Sequence, residues 1–159
     1  MKTLYALISC FLILRLASAQ IDQPPPPPPQ PAPTEDIPFK VVEDMPRFPG
    51  CEDVPKAERK QCADEKLLAY IYRNLVYPEE AKFMELEGTG VVSFIIEKDG
   101  SISSAKVVRS LGYGTDEEMI RLINKMNEDG IRWILGSTRG RPVRVLFNLP
   151  IKFSLDKND

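Results

Sequence analysis

The sequence predicts an α+β fold, in which a small antiparallel sheet of three strands carries helices on one face. Three observations predict it. Apolar residues recur at helical spacing in residues 64–76 and 115–126, and they alternate with polar residues in 91–97 and 143–155. The dipeptide Asp99-Gly100, typical of a hairpin turn, joins two of the strand-like segments.

The first two helices are predicted on either side of a Tyr-Pro pair. The first is indicated by Leu67, Leu68, Ile71 and Leu75. Its start is expected at Asp64-Glu65 and its end before Tyr77. Pro78 has a fixed φ that suits the first turn of a second, short helix, which Gly88 is expected to end.

A third helix is predicted after the Gly112-Tyr113-Gly114 break. Thr115 and Glu118 have the spacing of a capping box, in which the two side chains cap the first turn of a helix. The helical periodicity then continues through Met119, Leu122, Ile123 and Met126.

The three strands are predicted with the first strand between the other two. In the first, from Val91 to Glu97, alternate residues form an apolar face, and the second runs from Ile102 to Arg109. In the last, every second residue from Val143 to Leu155 is apolar, but Pro150 lies inside it. A proline cannot donate to a strand ladder, so this strand is expected at a sheet edge or broken there.

The N-terminal residues 1–19 have the pattern of a secretory signal peptide. Lys2 precedes an apolar run from Leu4 to Leu14, and Ala17-Ser18-Ala19 offers a cleavage site. A short membrane anchor is the alternative, although a helix from Leu4 to Ala19 would span only about 24 Å against roughly 30 Å for a bilayer core. A lipoprotein signal ending at Cys10 fits less well, because apolar residues continue after it.

Residues 20–50 are predicted to be a proline-rich tether. Six consecutive prolines run from Pro24 to Pro29, and such runs favour a semi-rigid polyproline II spacer. A ligand for a polyproline-binding domain is the alternative. The segment from Phe39 to Pro55 is expected to pack loosely against the folded domain, which is assigned to residues 51–159.

Cys51 and Cys62 are the two cysteines that an exported, processed chain would keep. An even pair in an exported protein is typical of a disulfide, here one that closes a short loop. Metal binding is the alternative, but further ligands of the right type are missing. We therefore expect a structural bridge between Cys51 and Cys62.

The composition argues against several function classes. The chain has no histidine, which excludes Ser-His-Asp triads, Cys-His dyads and HExxH zinc sites. Its net charge of −2 provides no broad positive field for nucleic acid. We expect no catalytic residues, no metal, no cofactor and no nucleic-acid partner.

The end of the chain is basic, because residues 130–155 contain five cations and no Asp or Glu. These cations are Arg132, Arg139, Arg141, Arg144 and Lys152. Two interpretations stay open. The basic edge discourages aggregation, or it accepts an extended peptide with acidic residues, whose backbone hydrogen bonds provide affinity.

Several short motifs follow one another in a specific order over residues 67–155. They are Tyr77-Pro78 after a helix, the strand from Glu87 to Phe94 leading to Lys98–Ser101, Trp133 after the amphipathic helix, and the run from Arg141 to Phe153. Together they resemble the C-terminal domain of the TonB family of energy transducers. The cysteine pair resembles that of versions from Bacteroidetes-type bacteria.

This resemblance implies a non-enzymatic periplasmic module, anchored in the inner membrane if its N-terminal segment is retained. In the family, the last strand pairs with a short segment, the TonB box, of an outer-membrane transporter, and ExbB and ExbD supply the energy. Carried onto this chain, the partner-binding residues are Val143, Arg144, Val145, Leu146, Phe147, Asn148 and Leu149, with Tyr77 and Pro78 near the same contact. The alternative is a structural envelope module that binds another protein or peptidoglycan without energy transduction. An exposed edge strand also permits a homodimer.

Overall fold

The computed structural model describes residues 37–155. These residues belong to one unit, Thr34–Asp159. The predicted signal peptide and the six consecutive prolines lie outside the described residues. Among residues 37–155, no helix combines the length and the apolar character that a membrane span needs.

The described residues form three α-helices and five β-strands. In chain order they are α1 (Arg59–Asn74), α2 (Glu79–Phe83), β1 (Gly88–Ile96), β2 (Ile102–Arg109), α3 (Thr115–Glu128), β3 (Ser137–Thr138), β4 (Arg141–Pro142) and β5 (Val145–Phe153).

The main sheet has three antiparallel strands in the order β2-β1-β5. This arrangement confirms the predicted fold class and the central position of the first strand. β5 is an edge strand, as Pro150 predicted, and Pro150 lies opposite Val91. It is shorter than predicted at both ends, because Val143 and Arg144 precede its first residue and Ser154 and Leu155 follow its last. A separate two-stranded hairpin pairs β3 with β4.

The core lies between one face of the sheet and the helices. In β1 the predicted apolar face is fully buried, and its residues are Val92, Phe94 and Ile96. β5 adds Leu149, Ile151 and Phe153, and the helices add Ala63, Leu67, Ile71, Met119, Leu122, Ile123 and Met126. Burial of each large apolar side chain contributes roughly 1.5–3 kcal/mol, so this face provides most of the driving force for folding.

A bulge in β2 reverses its alternation midway. Ser104 has a φ of 53°, and the register shifts between the pairs Ser93–Lys106 and Ile95–Ser103. Two residues of β2 therefore lie opposite Phe94. As a result, Ile102 before the bulge and Val107 after it both pack against the core, although their positions differ by an odd number.

The first two helices differ from prediction at their ends. α1 begins at Arg59, not at Asp64, because the turn in which the Glu58 amide donates to Pro55 O starts the helix earlier. α2 ends at Phe83, so Gly88 does not end it but begins β1. The left-handed residue after α2 is Glu85, with φ 48°. Its amide donates to Lys82 O, and the Leu86 amide donates to Ala81 O, the bonding of a Schellman motif.

The predicted capping box of α3 is wrong. The residue that caps the helix is Gly114, with φ 80°, and no side chain caps it. Thr115 is the first helical residue, and its hydroxyl donates to Gly112 O at 2.7 Å. Glu118 turns away from the helix start and accepts the Val76 amide at 2.7 Å instead.

Residues 37–48, which we call the strap, run along the edge of the domain. Phe39 forms a parallel bridge with Val145, and Asp44 and Arg47 form antiparallel bridges with Ser137 and Ile134. Phe48 is buried and packs edge-on against Trp133, with 5.7 Å between ring centroids. The strap therefore ends in the core, while its first residues lie along β5.

The predicted Cys51–Cys62 disulfide is confirmed, with 6.0 Å between the two Cα atoms. Cys51 is buried in the core cluster that also contains Phe48. The bridge therefore fixes the end of the strap to the first turn of α1.

Removing this disulfide with the double substitution Cys51→Ser and Cys62→Ser should lower the free energy of unfolding by about 3 kcal/mol. The bridge closes a loop with a sequence separation of 11, and a loop of that size restricts the unfolded chain by about this amount. Urea denaturation measures the change. A reductant should destabilise the unaltered domain to the same extent and leave the double variant unaffected; an equal response of both proteins would contradict a stabilising bridge.

Gly100, in the turn between β1 and β2, should tolerate no side chain. Its φ is +80°, and an added Cβ would lie 2.6 Å from the Trp133 carbonyl oxygen. The approach is close because Gly100 O accepts the Trp133 amide at 2.9 Å. We expect Gly100→Ala to lower the free energy of unfolding by about 3 kcal/mol.

Gly112→Ala is the matched control for this substitution, since Gly112 has φ +76° and open space around its Cα. Only the positive-φ strain of about 1 kcal/mol should appear there. Thermal or urea denaturation compares the two variants, and equal losses would show that the contact with Trp133 is not the cause.

Candidate functional site: the edge of strand β5

The outer edge of β5 is defined by the backbone groups that point away from β1. The Leu146 amide donates to Phe39 O at 2.8 Å, and the Phe39 amide donates to Arg144 O at 2.9 Å. Phe39 lies in the strap and not in β1, so the backbone groups of Leu146 face outward. The strap thus already occupies the beginning of this edge.

Alternation along the strand places the backbone groups of Asn148, Pro150 and Lys152 on the same side as those of Leu146. Pro150 therefore costs the ladder no hydrogen bond, because its missing amide would have pointed away from β1. Within residues 37–155, no other segment makes a backbone hydrogen bond to Asn148 or Lys152 on this edge. The outer edge is thus open beyond Leu146.

The predicted partner-binding side chains divide between the two faces of the sheet. Val145 and Leu149 are buried, and Phe147 packs against the core cluster and the ring of Trp133. Leu146 and Asn148 lie on the opposite face, where Asn148 is exposed. The residues that can meet a partner strand are therefore Leu146 and Asn148.

Arg144 is bound by Glu97 within the domain. Its Nε and Nη2 donate to the two carboxylate oxygens of Glu97 at 2.7 and 2.9 Å. The two side chains are only 22% and 23% exposed. The hydrogen bonds from Arg144, and more weakly from Ser103, hold the pKa of Glu97 below its ordinary value of 4.5. The charge of Arg144 is therefore compensated by Glu97 within the domain. The basic end of the sequence does not predict this ion pair.

The other cations of the basic end lie on different elements. Arg139 and Arg141 are exposed on the β3–β4 hairpin, where φ is 51° at Arg139 and 70° at Gly140, as in a type I′ turn. Lys152 is exposed near the other end of β5. These cations therefore do not form one continuous row along the edge of β5.

Tyr77 and Pro78 lie at the opposite end of β5 from Arg144. The Tyr77 ring meets Phe153 edge-on with 5.6 Å between centroids, and its hydroxyl donates to Leu86 O. Burial is the main reason that the pKa of Tyr77 is raised. At about 3.3 Å per residue, Val145 and Phe153 are separated by roughly 26 Å. The structure does not bring Tyr77 and Pro78 together with the beginning of the strand.

Trp133 is a packing residue. It is buried, and its ring contacts those of Phe48, Phe94 and Phe147. Within residues 37–155, no group of three or more His, Cys, Asp or Glu side chains is placed to hold a metal ion.

One protein family matches more than half of this chain. The family model for the Gram-negative bacterial TonB protein C-terminal matches residues 73–155. The chain belongs to this TonB C-terminal family. Among curated proteins, no sequence match is found.

Solved TonB C-terminal domains are similar to this one over much of its length. A Helicobacter pylori domain is 22% identical, with a TM-score of 0.45, covering 67% of this chain and 89% of that one. A second H. pylori structure is 27% identical, with a TM-score of 0.43, covering 60% and 95%. The Pseudomonas aeruginosa domain is 25% identical, with a TM-score of 0.39, covering 53% and 81%.

The sequence does not predict the burial of one carboxylate of this TonB-type domain. Glu118 is 7% exposed, accepts the Val76 amide and is paired with Arg121 at 2.7 Å. Arg121 also donates to Asn74 O at 2.7 Å. The pair thus fixes the chain immediately before Tyr77. An arginine three residues after the glutamate was the available signal, but the capping-box spacing offered a simpler explanation.

The strap was also missed as an edge partner. Ile37, Phe39 and Val41 alternate with other residues, which is a weak strand signal. Pro38 and the prolines before it obscured that alternation. The sequence predicts loose packing from Phe39 onward but no backbone bridge to Val145.

Arg144→Gln should lower the free energy of unfolding of this TonB-type domain by about 2 kcal/mol at neutral pH, because it removes two charge-assisted hydrogen bonds. The pKa of Glu97 is lowered by folding, so the pair stabilises the domain above the unfolded pKa. That contribution disappears as pH falls through the folded pKa. The difference between the variant and the unaltered domain should therefore stay constant from pH 7 to about 5 and shrink below the ordinary value of 4.5.

Lys152→Gln is the matched control, since it removes an exposed cation from the same strand. It should change stability by less than about 0.5 kcal/mol at any pH. Urea denaturation at several pH values gives all three curves. A pH-independent loss in Arg144→Gln would show that packing, and not the ion pair, is responsible.

Proposed function

We propose that this domain binds an extended segment of an outer-membrane transporter by strand addition to the outer edge of β5. The observation that carries the proposal is the row of backbone groups on that edge, open from the Leu146 carbonyl onward. The family match over residues 73–155 supports it. The domain acts in the periplasm as a binding module and not as an enzyme.

A bound segment would use three consecutive backbone groups before Pro150 interrupts the edge. They are the Leu146 carbonyl and the Asn148 amide and carbonyl. Each hydrogen bond contributes roughly 0.5–1.5 kcal/mol net, so this short contact alone gives modest affinity. Side chains on the face of Leu146 and Asn148 add selectivity. Tyr77 and Pro78 would support the opposite end of β5 and would not line the same contact.

Energy coupling would require parts of the chain outside the described residues. In this proposal, residues 1–19 are a signal peptide, or an anchor that brings the domain to ExbB and ExbD. Residues 20–50 would then be the tether, of which the strap is the end nearest the folded domain. A cleaved chain would bind transporters and depend on another protein for force.

A second candidate is a structural envelope module without energy transduction. The exposed Arg139 and Arg141 on the β3–β4 hairpin favour it, because two neighbouring cations at a turn can contact an anionic surface such as peptidoglycan. Self-pairing of β5 in a homodimer would use the same edge as a transporter. Contact with an anionic surface would differ from strand addition in its response to salt. A homodimer would differ from it in its dependence on protein concentration.

Asn148→Pro should abolish binding of a synthetic peptide that carries the TonB box of an outer-membrane transporter. The substitution removes the one amide on the open edge before Pro150 and leaves the pairing with β1 intact. Asn148→Ala is the matched control, because it keeps the amide and removes only the side chain. Fluorescence anisotropy of the labelled peptide measures both, with circular dichroism to show that each variant is folded.

Two further results bear on the mode of binding. Pro150→Ala restores an outward amide and should bind the peptide at least as well as the unaltered domain. Raising the ionic strength should weaken strand addition only modestly, whereas contact through Arg139 and Arg141 would be lost. Equal losses in Asn148→Pro and Asn148→Ala would rule out backbone pairing at this position.

A further inference from the structure

The beginning of the proposed docking edge is occupied by the chain itself. Phe39 uses its amide and carbonyl to bond Arg144 O and the Leu146 amide at 2.9 and 2.8 Å. A partner strand that covered Val143–Leu149 would need these same two groups. Phe39 therefore holds the position that the first residues of a partner would take.

The strap is attached weakly at its outer part. Phe39 makes the two backbone bonds described above, but its side chain is 45% exposed. Ile37 and Val41 on either side are 74% and 81% exposed. Releasing residues 37–42 would therefore break these two hydrogen bonds and uncover the buried half of the Phe39 side chain, together with the partly buried Pro38 and Val42.

The inner part of the strap is attached much more firmly. Asp44 and Ser137 exchange two backbone hydrogen bonds of 3.1 and 2.9 Å, and Arg47 and Ile134 exchange two more of 3.1 and 2.9 Å. Phe48 is buried in the core, and the disulfide of Cys51 follows. Release would therefore stop near residue 43 and leave the domain folded.

We propose that residues 37–42 are an internal competitor for the docking edge, displaced when an extended segment of a protein partner binds. The inference rests on the proposed strand addition and adds its register: the partner pairs from the Arg144 carbonyl to the Asn148 carbonyl. With Phe39 in place, three consecutive backbone hydrogen-bonding groups are available to the partner. With Phe39 displaced, five such groups are available.

The exchange also defines the chemistry of the partner. The partner strand makes two hydrogen bonds in place of the two that Phe39 loses, so the free energies of these bonds roughly cancel. The net gain in hydrogen bonding comes from the Leu146 carbonyl and from the Asn148 amide and carbonyl. Because about half of the Phe39 side chain is covered, the partner best places an apolar residue at that register. The residues two positions before and after it can be polar, because Ile37 and Val41 are exposed.

Phe39→Pro tests the competition, because proline removes the amide that holds the strap to Arg144 O. Val41→Pro is the matched control, since among the described residues the Val41 amide makes no backbone hydrogen bond to another segment. With the full chain and a labelled TonB box peptide, Phe39→Pro should bind about tenfold more tightly than the unaltered chain. Val41→Pro should stay within about twofold of it.

A second measurement on the unaltered chain keeps the proposal open to refutation if Phe39→Pro does not fold. Saturating box peptide should accelerate hydrogen exchange at the Phe39 amide and slow it at the Asn148 amide. A Phe39 amide that stays protected in the complex would overturn the proposal, as would equal peptide affinity of Phe39→Pro and the unaltered chain.

These outcomes separate the inference from the proposed function. Binding that is unaffected by Phe39→Pro but lost in Asn148→Pro contradicts the competitor alone and leaves strand addition intact. Absence of peptide binding in every protein contradicts strand addition, and the displacement falls with it.

Discussion

The pairing of β5 with β1 runs over nine residues of each strand, from Gly88–Phe153 to Ile96–Val145. This register directs Leu149, Ile151 and Phe153 into the core and the missing amide of Pro150 away from the ladder. It also places Arg144 beside Glu97. A shift by one residue would reverse all of these positions at once, so the core and the docking edge depend on the same alignment.

The sheet and its order could be predicted from the sequence because each strand carries a local signal. Alternation in Val92, Phe94 and Ile96 identified the buried face, Asp99-Gly100 identified the hairpin, and Pro150 identified the edge. Helix ends were less predictable, because Glu85 takes a left-handed conformation that residue type does not indicate. The positions of Glu118 and Phe39 depend on partners 42 and more than 100 residues away. No local pattern contains that information.

An exposed edge strand is both a binding surface and an aggregation hazard, and β5 combines features that serve each role. Its beginning is covered by Phe39, Pro150 interrupts its outer amides, and Lys152 adds a charge beyond the interruption. What stays open is a short stretch around Asn148. In the proposed strand addition, this short stretch would start the pairing with a partner, while the covered and interrupted parts of the edge would oppose extended pairing between identical edges.

The disulfide has a consequence for how tension would travel through the molecule. A pull on the chain at residue 37 is resisted by the backbone hydrogen bonds of Asp44 and Arg47 and by the buried Phe48. Once these contacts are released, the load reaches Cys51 and crosses directly to Cys62 in the first turn of α1. The loop from residue 52 to residue 61 is bypassed and carries none of the load. After the strap has been released, the force therefore enters the domain at the start of a helix whose inner face packs on the sheet, and the covalent link prevents the loop between the two cysteines from being extended.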